Sequence, residues 1–538
     1  MRSSLQRLEA AAERHPGIAL ALFSAVAALL WAMQNAAMRT ALPLDGVESV
    51  CWGSRLQWGY FKHPPLAAWL AWGAARLTGY SDLAQYLLTY GSIAIGVCFV
   101  YLLAREYLAP QRAALAAMPL YFLHYYTLAP AAFCPNSIQL ALQPVMAWLF
   151  LRCMRHGRLR TWGALGVVSA AAFLGKYSAG ILLLAMAVSI VAVPRWRRCL
   201  ATAGPWFSAL LFLAAVAPHL LWLADNDFIC LAYVEESIRP MGTLQRLWFP
   251  FYMLLTAVYP LLVAAALYLV AGLPALSWQK AENAGGQEQG AGTGETELRR
   301  YAVVLTAVPA AVVVLLAALG HSVQPMWLST MASWGGLAVL LAFPWRLPAH
   351  AFLRIFRLLC LGTAIALIAS TVDYMVRTRQ RTHIDVGALC RAAEECMAQE
   401  EEQGGSAPQL SVVVGERWFA NSLQYYHPGH PFSADIHDPL AMADAARRLK
   451  ALQTAGQRAA FLLVAKRPGD MGAFLEKAIA QGVGVRWSSG VTPEAPSWSV
   501  PFQAKFGKRR QMPVYMMRFD AAPVNAGVTE EFDDEAGK

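Results

Sequence analysis

A chain of 538 residues that is 57% hydrophobic and 14% charged carries more apolar surface than a water-soluble fold buries. Many of its runs reach the roughly 17–25 residues that a membrane helix needs, so the composition reads as an α-helical polytopic membrane protein. The formal net charge of +10 lies mostly in short loops between apolar runs, where the positive-inside rule accounts for it and nucleic acid is excluded as a partner. The nine cysteines show no CxxC pair and no zinc spacing, and Cys390 and Cys396 stand too far apart to bridge along one helix. Neither a disulfide framework nor a metal centre is expected.

Apolar runs fall near 17–38, 83–104, 113–129, 137–151, 161–174, 179–193, 204–223, 251–273, 301–319, 327–343 and 352–372. The first has no small-residue cleavage site behind it and reads as a retained helix. Between the first two lies the stretch Asp45 to Trp69, DGVESVCWGSRLQWGYFKHPPLAAW. It sets Asp45, Glu48, Arg55, Lys62 and His63 beside aromatics and a Pro-Pro pair. Asp and His transfer protons, Lys and Arg hold phosphate, and aromatics suit a water–lipid boundary. Pro64-Pro65 stiffens the backbone and drives His63 out of helical geometry.

Arg and Lys set the orientation. Loops holding Arg7 and Arg14, Arg105 and Arg112, Arg152 to Arg160, Arg195 to Arg198, Lys280 to Arg300 and Arg346 to Arg357 form the basic set, expected on the cytoplasmic side. With about eleven spans, the Asp45 loop and the C-terminal part then face outward. The basic runs at 152–160 and 195–198 stay on one side only if 161–193 is two short helices joined at Gly175-Lys176-Tyr177-Ser178. Arms of that length rise about 20 Å at 1.5 Å per residue, less than the roughly 30 Å hydrocarbon core. Lys176 is thus expected in a polar cavity below the outer surface, where a charge is a functional candidate by default.

The Gly-, Glu- and Gln-rich region 279–299 reads as a disordered cytoplasmic linker within a membrane domain over 1–374. From 375 to 538 the composition turns soluble. LSVVVGE, AAFLLVAK, VGVRW and PVYMMRFD read as strands and LAMADAARRLKALQTAG as an amphipathic helix, which together describe a small α/β domain. The tail TEEFDDEAGK is expected to fray.

With these residues in hand, the chain resembles the GT-C membrane glycosyltransferases, in particular glycosyltransferase family 39 and the bacterial aminoarabinose–lipid A transferases. In those proteins an acidic pair follows the first span, then a Trp, then Gly-Tyr-Phe-Asp-His-Pro-Pro-Leu. Here Asp45, Trp52 and Gly59-Tyr60-Phe61-Lys62-His63-Pro64-Pro65-Leu66 keep the same register. The family's Pro-Asp pair corresponds to Pro135-Asn136, its Ser-Lys-Tyr-Thr turn to Gly175-Lys176-Tyr177-Ser178, and a late His…Trp element to His321 and Trp327. GERWFANSLQYYHPGHP is similar to a segment after the family's last span. Gly46, Lys62 and Asn136 stand where the family has acids. Those losses weigh against a bound divalent metal, since hard cations need several oxygen ligands.

The resemblance implies a GT-C-like fold in a bacterial inner membrane, with the C-terminal domain periplasmic. It implies transfer of a sugar from a polyprenyl-phosphate donor to a glycan, lipid or protein acceptor, with membrane lipid as the other partner. Asp45 is then the catalytic base, and Glu48, Tyr60, Lys62, His63, Asn136, Lys176, Tyr177 and His321 bind substrate. Each also has a plainer role. Asp45 can cap a helix or pair with Arg39 or Arg55, Lys62 and Lys176 can snorkel, and Asn136 can cap its span. His321, Trp327, Arg239 and Arg246 can be interface or surface residues. Two other functions stay open: a flippase or transporter of lipid-linked sugars, and a degenerate, non-catalytic relative.

Overall fold

The computed structural model describes residues 2–128, 132–237, 242–271, 291–329, 332–343, 348, 350–377, 381–398, 410–455, 459–467, 470, 497–503 and 505–521. It divides into two compact units, Met1–Met38 with Trp52–Tyr374, and Arg39–Cys51 with Met375–Lys538. The composition places a single division at 374/375; the short segment Arg39–Cys51 nonetheless folds with the later residues.

In the first unit seven described helices are long and apolar enough to cross a membrane: Pro16–Met38, Asp82–Arg105, Pro135–His156, Ala203–Asp225, Thr243–Val270, Thr293–Ala318 and Ala351–Val376. An eighth is reached if Ala179–Ala192 and Pro194–Ala201, bent by 107°, count as one. The expected eleven are not confirmed. Run 113–129 breaks into Pro110–Ala117 and the 3-10 turns Met118–Phe122 and His124–Tyr126, because Pro119 removes a backbone donor and its ring crowds the preceding turn. Run 327–343 breaks into Met326–Ser329, Ala332–Trp334 and Gly335–Ala342, where paired glycines lower helix propensity.

Of the expected linker 279–299, residues 279–290 lie outside the described residues. Residues 291–299 are not disordered but form the first turns of helix Ala291–Ala318. Glu295 pairs with Arg112 at 2.8 Å, and Glu297 accepts from the Tyr107 hydroxyl and the Trp196 indole, each at 3.4 Å. Those partners come from distant positions, so local composition gave no sign of them. Arg239, VGVRW (483–487) and the tail 529–538 also lie outside the described residues.

Helices meet closely where a side chain is missing. A Cβ on Gly96 would lie 2.0 Å from the Leu140 carbonyl, so Asp82–Arg105 packs on Pro135–His156 at a distance only glycine permits. Polar groups tie spans together where hydrocarbon offers no solvation. Asn35 donates to the Tyr90 hydroxyl at 3.0 Å, and the Tyr301 hydroxyl donates to the Ala147 carbonyl at 3.1 Å.

The second unit is a five-stranded sheet, β1 (Leu410–Gly415), β2 (Phe432–Asp435), β3 (Ala459–Ala465), β4 (Ser497–Phe502) and β5 (Arg510–Ala521), in the order β2-β1-β3-β5-β4. β1 runs parallel to β2 and β3, while β5 is antiparallel to β3 and β4. Val412 and Val414 with Phe461 and Leu463 bury one face against Ala441, Met442, Ala445 and Leu449 of helix Pro439–Thr454. On the opposite face Ser433 bonds Asn421 and Gln424 of helix Arg417–Tyr426. Helices on both faces of a mixed sheet make this an α/β fold.

Candidate functional site

The two halves of the Asp45–Trp69 stretch fold into different units. In the first unit, the loop from Trp58 to His63 is held by three helices. The Trp69 indole of helix Leu66–Thr78 donates to the Gln57 carbonyl at 3.0 Å. From helix Ile229–Ser237, the Cys230 thiol donates to the Tyr60 carbonyl at 2.9 Å and the Tyr233 ring lies 5.3 Å from that of Phe61. From helix Ala203–Asp225, the Trp222 ring fills the space where a Cβ on Gly59 would sit, 2.2 Å away. This glycine is required by close approach rather than by turn conformation.

Inside that frame Trp52 and Tyr60 stack at 6.0 Å and 9°, and the His63 ring meets the edge of Trp52 at 5.9 Å. The Lys62 ammonium lies 5.4 Å from the Trp52 ring centroid and 5.6 Å from that of Tyr233, within reach of the negative ring faces. Lys62 is buried, 4% exposed. Arg55 approaches the Tyr60 ring at 5.4 Å. Burial holds the Tyr60 phenol well above its ordinary range, keeping it a neutral donor.

The expected short arms are present as Leu159–Gly175 and Ala179–Ala192, with Lys176 between them in extended backbone, φ −167°. Lys176 is buried, 8% exposed, and its ammonium donates to the Asn136 side-chain oxygen. The Asn136 amide in turn donates to the Met326 sulfur at 3.2 Å, and the Trp327 ring lies 5.5 Å from the ammonium. Asn136 follows Pro135 in the first turn of its helix, so its side chain reaches Lys176 rather than capping the helix end.

The charges of both parts act on His63. Burial, then the Lys176 charge, then the Lys62 charge, push its imidazole pKa well below the ordinary value. At neutral pH the buried ring is therefore uncharged.

A second link joins the Lys176 turn to the loop. His219 Nδ1 lies 2.6 Å from the Trp58 carbonyl, which only accepts, so Nδ1 carries the proton. In the neutral ring Nε2 then accepts from the Tyr177 hydroxyl at 2.8 Å. Sequence reading passed over His219, although an imidazole inside the apolar run LLFLAAVAPHLLWLAD was a signal. Cys230, Tyr233 and Met326 gave none.

Asp45 and Glu48 belong to the second unit. Asp45 stands exposed in the first turn of helix Leu44–Gly53, with no ion pair to its carboxylate among the described residues. Glu48 is buried against Arg417, whose Nε lies 3.3 Å from Glu48 Oε1 and 2.6 Å from Asp435 Oδ2. His321 lies in the turn after helix Ala291–Ala318, its N–H on the Leu316 carbonyl at 3.0 Å, and contributes no described contact to the Lys62–His63–Lys176 group. Among the described residues no three His, Cys, Asp or Glu side chains gather that would hold a metal.

A family model described as dolichyl-phosphate-mannose-protein mannosyltransferase matches residues 62–222. That segment holds Lys62, His63, Asn136, Lys176, Tyr177 and His219. By sequence the chain matches no protein of curated function. The crystal structure of ArnT from Cupriavidus metallidurans bound to undecaprenyl phosphate is similar at 13% identity, covering 92% of this chain and 97% of that one, with a TM-score of 0.55. The archaeal oligosaccharyltransferase AglB from Archaeoglobus fulgidus, in complex with an inhibitory peptide and a dolichol-phosphate, aligns at 12% identity over 84% of this chain and 70% of that one, with a TM-score of 0.37. The chain thus resembles the GT-C membrane glycosyltransferases and shares the ArnT fold.

Proposed function

We propose that this protein is a glycosyltransferase of the bacterial inner membrane that moves a sugar from a polyprenyl-phosphate carrier to an acceptor at the periplasmic face, where its α/β domain lies. The observation that carries the reading is the pair of buried ammonium groups, Lys62 against the Trp52 and Tyr233 rings and Lys176 on the Asn136 side-chain oxygen beside Trp327, with His63 against Trp52. Two buried ammonium groups favour a phosphate through charge-assisted hydrogen bonds, and the uncharged imidazole adds a donor without the cost of a third buried cation. The shared ArnT fold, in a structure bound to undecaprenyl phosphate, and the mannosyltransferase family match over these residues support it.

In this reading Asp45 takes the proton of an acceptor hydroxyl, whose oxygen attacks the anomeric carbon. The bond from that carbon to the phosphate oxygen breaks, and polyprenyl phosphate leaves with the electron pair. Lys62 and Lys176 offset the charge that develops on it. Asn136 orients the Lys176 ammonium, the Tyr177–His219 link orients its turn, and Tyr60 offers a neutral hydroxyl to the sugar. Glu48 and His321 stand outside this set. The acceptor is a glycan, a lipid or a protein.

Purified protein in nanodiscs, given undecaprenyl-phosphate sugars and candidate acceptors, is expected to release undecaprenyl phosphate. Binding of undecaprenyl phosphate without turnover of any donor would overturn the reading in favour of a degenerate relative. Movement of intact lipid-linked sugar across vesicles, again without release, would overturn it in favour of a flippase.

A further inference from the structure

The segment Arg39–Cys51 is sewn into the α/β unit along its whole length. Thr40 N–H donates to the Thr382 carbonyl at 3.0 Å and its hydroxyl to the Ile384 carbonyl at 2.6 Å. Leu42 N–H donates to the Tyr426 hydroxyl at 2.7 Å, and the Leu42 carbonyl accepts from the Trp418 indole at 3.1 Å. The Cys51 thiol donates to the Asn421 carbonyl at 3.5 Å. Between these ties stands the Glu48–Arg417–Asp435 group, with both carboxylates nearly sealed from solvent at 7% and 6% exposure.

Arg417 owes its place to the sheet. Gly415 ends β1 at φ +151°, and its Cβ position lies 2.0 Å from the Val464 carbonyl of β3, so only glycine lets the chain turn there. Glu416 then caps the next helix by accepting from the Trp418 and Phe419 N–H groups at 3.0 and 3.2 Å. Arg417 is thereby aimed across the carboxyl ends of β1 and β2, where Asp435 closes β2 opposite Gly415. In open α/β sheets that end of the strands commonly receives a ligand. Here it receives a helix of the same chain.

We infer that Arg417 is a positioning residue for the transfer reaction, in that it clamps Glu48 to Asp435 and fixes the helix whose exposed first turn presents Asp45. The inference rests on the reading of Asp45 as the base. In that reading the α/β unit supplies both the proton acceptor and the side chains that hold its helix. Arg417 meets both carboxylates through one planar group, a geometry that a lysine ammonium does not reproduce.

The test uses the full chain in nanodiscs with three variants. Arg417→Met is expected to raise amide exchange over residues 46–51 by about tenfold or more. The kcat for donor turnover should fall by about 100-fold, the cost of a misplaced reacting group, with affinity for undecaprenyl phosphate unchanged. Arg417→Lys should recover part of both. Glu48→Gln leaves the Arg417–Asp435 pair in place and should loosen 46–51 while exchange in the sheet stays at the parent level. It therefore decides the matter even if Arg417→Met fails to fold. Parent-level exchange over 46–51 in Glu48→Gln and Arg417→Lys, with unchanged kcat, would overturn the inference. If the parent turns over no donor, the functional reading fails, and the exchange data still report separately whether Arg417 holds the helix.

Discussion

The two units surround their buried charges differently. In the membrane unit the buried charges Lys62 and Lys176 are cations set against aromatic rings and an amide, with a neutral imidazole beside them. In the α/β unit the carboxylates of Glu48 and Asp435 are buried and share one guanidinium. Rings and amides stabilise an ammonium while leaving it able to take an anion. A guanidinium already holding two carboxylates is committed to structure. The first arrangement suits binding and the second suits support, while Asp45, on the helix so supported, is exposed to solvent.

The sharpest way to break this division is Asp45→Asn, which changes one proton acceptor and little else. Donor turnover should fall by about 10²–10⁴-fold, the contribution of a positioned general base, while undecaprenyl phosphate binds as in the parent. Equal turnover would remove Asp45 from the chemistry and leave the α/β unit without a catalytic group.

Lys176→Ala acts on the other side of the comparison. Loss of a charge-assisted hydrogen bond costs about 2–3 kcal/mol, which is roughly 30–150-fold in undecaprenyl phosphate affinity by titration. Lys176→Arg should rescue only part, because a planar fork does not replace a compact ammonium. Parent-like affinity in both variants would move the phosphate site to Lys62 and His63.

His63 offers a test by pH. Its folded pKa is depressed, so the unfolded chain takes up the proton first as pH falls below about 6.5. The stability tied to neutral His63 is complete above that pH and is lost below it, by up to about 1.4 kcal/mol per pH unit. Thermal unfolding of His63→Gln should therefore show a flatter loss between pH 6.5 and 5 than the parent. An unchanged slope would mean that the imidazole is not held uncharged by burial and the neighbouring lysine charges.

The smallest effect is expected at the Tyr177–His219 link. Tyr177→Phe and His219→Phe should each cost about 1 kcal/mol, near fivefold in undecaprenyl phosphate affinity. The double variant should cost no more than the larger single one, since both remove the same bond. Full additivity would show that His219 acts on the Trp58 carbonyl alone.

Much of the fold was legible because it depends on local composition. Long apolar runs such as 204–223 became spans, the break at Gly175–Ser178 was readable from the basic runs flanking it, and LSVVVGE and PVYMMRFD became strands. Where distant residues outweighed local signals, the reading failed. The run 113–129 is apolar throughout, yet Pro119 splits it. The stretch 291–299 looks like solvated coil, yet Arg112, Tyr107 and Trp196 meet its glutamates.

The candidate site divides along the same line. By itself the sequence determined that Lys62, His63 and Lys176 are costly residues in an apolar chain, because desolvating a charge is expensive wherever the chain goes. It determined also that a Gly-Tyr-Phe-Lys-His-Pro-Pro loop is too rigid and too polar for a plain connector. Only the tertiary structure decided that Lys176 meets Asn136 and Trp327, that His219 ties Tyr177 to the Trp58 carbonyl, and that Asp45 and Glu48 fold with the α/β domain rather than with the span before them. The physical reason is that each of these is a long-range contact, made by helices and strands meeting across the fold, and residue spacing along the chain carries no record of which surfaces meet.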